Sequence, residues 1–264
     1  MKKAIGPIII TLGLLFMYAP ILILGVYSFT DATTIGQIGG FTMTNYVTLF
    51  TTESLVNMIG GTLLLALVSS VIATILGTAG AIGSFYSKKR VQAIVGIANQ
   101  VPVVNADVVT GFSLCILLVV VFGLSKDTYI PLVIGHVTLS APFVYLSVVP
   151  KLKQMDPSLY EAALDLGASP AVALTKVIIP QIFSGIVSGF AMAITLSLDD
   201  YFIATYTKPA TFDTISTYVV NATRGSQTEI KTALWALSTV IFVIVLCVAI
   251  GMNVSAARAA KKER

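Results

Sequence analysis

Three carboxylates of this sequence stand where carboxylates are costly. Asp107 lies in an apolar stretch, five residues after Pro102 and two after Asn105, and the pair Asp199-Asp200 lies in another, nineteen and twenty residues past Pro180. An ionised acid at mid-bilayer costs about 2.5–3.5 kcal/mol unless it faces a cavity or a partner, so such residues mark functional positions. At 1.5 Å per residue the pair falls about 28–30 Å along a helix beginning at Pro180, toward its outer end. Pro102 removes a backbone donor and can open the chain near Asp107 toward a cavity. The apolar stretches contain no Lys or Arg, so the acids lack a cationic partner of that kind. A cationic substrate would supply one, and Tyr201, Phe202 and Tyr206 add aromatic faces for an ammonium group, each contact worth about 0.5–2 kcal/mol. The competing reading is that the acids are solvated at a membrane boundary or cap backbone.

A second constellation is mechanical. Between Lys151 and Pro180, Asp156 suits an N-cap, Pro157 the first helical position, and Ser158 to Leu166 a short helix carrying Glu161 and Asp165. Gly167 can adopt the left-handed conformation that ends a helix, and Ser169-Pro170 repeats the cap-then-proline signal for a second one. The first helix is about ten residues, marginal in water by itself. Leu159, Ala162, Ala163 and Leu166 give it a small apolar face, which fits either a groove on a protein partner or the chain's own bundle.

Other chemistry is poorly supported. His136 is the single histidine and cannot build a multi-histidine metal site; a hydrogen-bonded packing role is expected ahead of proton relay. Cys115 and Cys247 lie apart in apolar stretches, without disulfide or metal spacing. No Walker A loop, HExxH helix or nucleophile motif is present, which argues against an ATPase and against an intramembrane enzyme.

The elements that must position these residues follow from composition. The 264 residues are 56% hydrophobic and 11% charged, against about 25% charged in soluble domains. Six stretches read as spans: about Ile5–Phe29, Met58–Phe85, Ile94–Phe122, Ile130–Val149, Pro180–Tyr206 and Ala233–Val254. The first follows Lys2-Lys3 but outlasts the apolar core of about 7–15 residues of a signal peptide, so an uncleaved span is expected. With the amino terminus cytoplasmic, twelve of the sixteen Lys and Arg fall inside, among them Lys88-Lys89-Arg90 and the basic tail; only Lys126, Lys208, Arg224 and Lys231 fall outside. Both termini are then cytoplasmic, and the net charge of +4 reflects topology rather than a nucleic-acid surface. The outer segment 30–57 has no Lys or Arg, and its spaced aromatics from Phe41 to Phe50 predict a short interfacial helix acting as an aromatic-belt anchor.

One resemblance joins these readings. Glu161-Ala162-Ala163, Gly167 and Val177-x-Ile179-Pro180 reproduce the EAA…G…I-x-L-P signature of permease subunits of binding-protein-dependent ABC importers, with Val177 and Ile179 as conservative departures. The likeness extends over the chain. It implies an all-α integral membrane protein of the type I importer permease fold, a single transmembrane domain over 1–264, with the cytoplasmic segment 150–179 holding the coupling helix. Glu161, Ala162, Ala163, Asp165, Gly167 and Pro180 would then serve coupling to two copies of a cytoplasmic ATPase, which binds the ATP and Mg; this chain needs no cofactor. A second homologous permease, an extracytoplasmic binding protein and the lipid of a bacterial inner membrane are the other implied partners. Within that family, Leu196-Ser197-Leu198-Asp199-Asp200-Tyr201 and Pro102–Asp107 look most like permeases of spermidine/putrescine importers, which puts Asp107, Asp199, Asp200, Tyr201 and Tyr206 on a substrate pathway. The alternatives are relatives that carry ferric ion, anions or opines, and an ion-coupled secondary transporter.

Overall fold

The computed structural model describes residues 2–32, 36–37, 39–224, 232–243 and 246, with side chains from residue 9 onward except 223–224. The expected coverage of Cys247, of the sixth span beyond residue 246 and of the basic tail lies outside the described residues. Two compact units emerge, Met1–Asn57 with Val219–Arg264, and Met58–Tyr218.

In the first unit α1 (Lys2–Tyr27) contributes an apolar run from Ile9 to Tyr27 long enough to cross a membrane, with none of its side chains buried. The outer segment forms α2 (Thr44–Thr51). Its anchor is Asn45, whose buried amide donates to the carbonyls of Ser28 (3.0 Å) and Thr30 (2.9 Å), and Phe29 stacks on Phe41 at 6.0 Å. Phe41, Val47 and Phe50 stay exposed, as an interfacial helix requires. The apolar helix α12 (Thr232–Val243) packs Trp235 edge-on against Tyr27.

The second unit is built on α3 (Glu53–Phe85), α6 (Ile130–Gln154) and a continuous helical stretch Pro170–Asp199. That stretch comprises α8 (Pro170–Ala173), a π-turn Leu174–Ile178 and α9 (Ile179–Asp199). The π-turn follows from the sequence: Pro180 has no N–H to offer, and the Ile179 N–H reaches back five residues to Leu174. Where hydrocarbon offers no hydrophobic drive, helices associate through small residues that let backbones approach. Gly185 and Gly189, a G-x-x-x-G pair on α9, do this: a Cβ on Gly189 would lie 3.0 Å from the Val144 Cα. On the other side of Val144, a Cβ at Gly77 would lie 2.7 Å from the Ala141 carbonyl oxygen. Gly77→Val should therefore reduce the stability of the detergent-solubilised protein, read from its melting curve, by an overpacking cost of about 1–3 kcal/mol. Gly83→Val, where nothing lies within 4 Å, should leave it within about 0.5 kcal/mol.

Two expected spans are broken. Rather than one helix over Ile94–Phe122, the chain forms α4 (Lys89–Val104) and α5 (Asp107–Cys115, continued by a π-turn Ile116–Val121), bent by 104°. Pro102 leaves a carbonyl without its helical donor, and Asn105 and Ala106 then turn extended, with ψ of 146° and 133°. Likewise, the span expected over Pro180–Tyr206 begins ten residues earlier and stops at Asp199, with α10 (Phe202–Thr207) beyond. Helix α11 (Ile215–Arg224) follows.

Candidate functional site

Both breaks open on one cavity of about 380 Å³, lined by Pro102, Val103 and Asp107 from the first, by Leu196, Asp199, Asp200, Tyr201 and Phe202 from the second, and by Leu139 and Phe143 of α6. Asp107 thus does not lie midway along a span, as expected. It begins α5, where the unpaired N–H groups of the helix favour a negative side chain.

The adjacent acids separate in role. Asp200 is buried, and its two oxygens accept the backbone N–H groups of Ile203 (3.2 Å) and Ala204 (2.7 Å), capping α10. The backbone-capping alternative therefore holds for Asp200. Asp107 and Asp199 are exposed to the cavity and, among the described residues, form neither hydrogen bond nor ion pair. Tyr201 lines the cavity with its ring against Phe202, at 5.2 Å between centroids. Tyr206 does not line it: that ring faces away, edge-on to Phe112 and against Gly111, because one helical turn past the cap points it at α5. Sequence reasoning missed Leu139 and Phe143, and also the buried partner of Asp200, since His136 Nε2 stands 3.6 Å from its Oδ2. No spacing signal links residues on two different helices.

The second constellation folds as its backbone chemistry dictates. Asp156 Oδ1 accepts from both the N–H (2.9 Å) and the hydroxyl (2.7 Å) of Ser158 and starts α7 (Ser158–Asp165). Those two bonds, the backbone one first, hold the Asp156 carboxyl below its usual range. The cap is accordingly complete at neutral pH and is lost only as pH falls through that lowered value. At the other end Gly167 has φ +84°, with Gly167 N–H on Leu164 (2.9 Å) and Ala168 N–H on Ala163 (3.0 Å), a Schellman closure. Ser169 caps α8 through Val172 N–H.

Of the two candidate environments for α7, its own bundle takes one face of the helix. Ala163 is buried and the Tyr160 ring packs on Tyr86 at 5.0 Å, joining α7 to the core around Val144, Val148, Leu152 and Ile178. Glu161, Ala162, Asp165 and Gly167 face out, and Leu166 is 89% exposed. Val177 packs on that core while Pro180 is exposed at the start of α9.

Apolar helices interrupted around an acidic cavity, with a short half-exposed helix hung between two long ones, define a membrane transport subunit. Residues 74–261 match the model of the binding-protein-dependent transport system inner membrane component, and the chain belongs to that family. It is a multi-pass permease, a transport component rather than an enzyme. It is 32% identical to the putrescine transport system permease protein PotI of Escherichia coli K12 over 241 residues, covering 89% of this chain and 84% of that one. It is 28% identical to the spermidine/putrescine transport system permease protein PotC of the same organism over 242 residues, 91% of this chain and 89% of that one. A crystal structure of a bacterial ABC transporter involved in import of the acidic polysaccharide alginate superposes with a TM-score of 0.71 at 19% identity, covering 95% and 94% of the two chains. That likeness shows a shared helical permease fold, and a fold by itself does not fix what is carried.

Proposed function

We propose that this chain is the polyamine-conducting permease of an ATP-driven importer, with putrescine or spermidine as cargo. The observation that carries the reading is the cavity at the two helix breaks, where the unpaired carboxylates of Asp107 and Asp199 stand beside the ring of Tyr201. A polyamine supplies the cations that the described residues do not. Its ammonium groups gain charge-assisted contacts with the acids and a cation–π contact with the aromatic face. The PotI and PotC likenesses point to the same cargo class.

In this reading 1–264 forms one permease domain of six spans in a bacterial inner membrane, with both termini cytoplasmic. A second homologous permease completes the pathway and an external binding protein delivers cargo. Two copies of a cytoplasmic ATPase hold the ATP and Mg and receive α7 through Glu161, Ala162 and Leu166. The exposure of Leu166 on a polar elbow supports such a contact, since an isolated apolar side chain of that size gains most by entering a partner's groove.

Uptake of radiolabelled putrescine, competed with spermidine, ferric ion, sulfate and an opine, tests the assignment. Competition by spermidine alone is expected. Competition by ferric ion or sulfate assigns the cavity to another cargo, and uptake driven by an ion gradient without ATP assigns the chain to the secondary transporters.

A further inference from the structure

His136 is fully buried in α6, and its two ring nitrogens have very different surroundings. Nδ1 lies 2.8 Å from the hydroxyl of Ser197, itself buried and 3.2 Å from that of Ser69 on α3. Ser69 lies 2.6 Å from the Leu65 carbonyl and 3.2 Å from the Ser197 hydroxyl, so its one proton is shared between them and Ser197 keeps its own for another acceptor. Nε2 has no hydrogen-bond partner among the described residues and faces the Asp200 carboxylate at 3.6 Å. A bare nitrogen lone pair turned toward a carboxylate would be repulsive, so Nε2 must carry a proton. Ser197 then donates to Nδ1, which fixes that tautomer. A buried donor without a partner is costly, and this one is aimed at a carboxylate that lines the cargo cavity. Shortening the gap by about 0.5 Å would bring it within hydrogen-bond range.

We propose that His136 is a positioning residue of the cargo cavity: its Nε2–H holds the Asp200 carboxylate at the break between α9 and α10 in the orientation that cargo binds. The inference rests on the reading of this cavity as the cargo site. Asp200 already accepts two backbone N–H groups and lines the same cavity as Asp107 and Asp199, whose like charges repel it. A donor at Nε2 offsets that repulsion without neutralising the cavity, and the Ser69–Ser197–His136 chain ties its direction to α3, α6 and α9.

The test uses the intact importer in cells and radiolabelled putrescine. His136→Asn keeps a polar atom near Nδ1 but has nothing at the Nε2 position, whereas His136→Gln reaches that position with an N–H. His136→Asn is expected to raise the KM of uptake by about tenfold, the loss of one N–H directed at a charged group, with Vmax changed little. His136→Gln should restore KM to within about threefold of wild type. Equal KM values for Asn, Gln and wild type, or equal losses of Vmax and of protein level in both variants, would make His136 a packing residue and overturn the proposal. Asp107→Asn and Asp199→Asn run alongside: normal KM in both removes the cargo-site reading and this proposal with it, while impaired uptake there with a normal His136→Asn removes this proposal alone.

Discussion

Gly167→Val should cut uptake at least tenfold while the subunits still co-purify and ATP is still hydrolysed. Gly167 holds φ +84°, and a Cβ there would meet nothing within 4 Å, so the penalty is conformational rather than steric crowding. A left-handed residue with a Cβ costs roughly 1–2 kcal/mol, and a β-branched one more, enough to displace the Schellman closure by a factor of ten or above. What moves is the angle between α7 and α8. Because α8 runs through the π-turn into α9 without a break, an altered elbow misdirects whatever force α7 receives before it reaches the cavity at Asp199. Asn tolerates the left-handed region, so Gly167→Asn should keep most of the uptake. ATP hydrolysis and uptake measured together in proteoliposomes decide the matter. Normal uptake by Gly167→Val would mean that the elbow does not transmit.

That elbow was legible from the sequence because each of its signals is local. Asp156, Pro157, Gly167 and Ser169-Pro170 act on backbone groups within three residues of themselves, and every one of those bonds forms. The apolar stretches were legible for a similar reason, since hydropathy reports what faces lipid wherever a segment packs. Hydropathy does not report continuity. The runs around Asn105-Ala106 and Asp200-Tyr201 are apolar enough to read as unbroken helices, and the 104° bend at the first depends on what α5 finds to pack against. Gly111 lets α10 approach α5 closely, with a Cβ there only 3.0 Å from the Ile203 Cα, a fit that no single segment announces. Asp200 as a cap was within reach: an Asp two residues before a short apolar run is an N-terminal signal, hidden here by reading the run as the end of a span. Its pairing with His136 was not within reach, because spacing between helices carries no register.

The separation of Asp199 from Asp200 leads to the second large effect. Asp107→Asn and Asp199→Asn should each raise the KM for putrescine about three- to tenfold with Vmax, protein level and subunit assembly retained. Each removes one unpaired charge from the cavity and disturbs no hydrogen bond of the described chain. The expected size corresponds to roughly 0.7–1.4 kcal/mol per contact, at and somewhat above the upper end of about 1 kcal/mol for ion pairs fully open to water. The double variant should multiply the two, since a flexible polyamine can engage the carboxylates independently. Raising the salt concentration should narrow the gap between wild type and variants, because these charges are screened by ions that enter the cavity. Asp200→Asn should behave differently. An amide in place of the carboxylate can accept only one of the two N–H groups now held by Asp200 and turns a donor toward the other, so α10 loses its cap and less folded protein is recovered. Measured side by side, unchanged KM in both Asp107→Asn and Asp199→Asn would place cargo recognition elsewhere. A well-folded Asp200→Asn with only a raised KM would show that its charge matters more to cargo than its cap does to the fold.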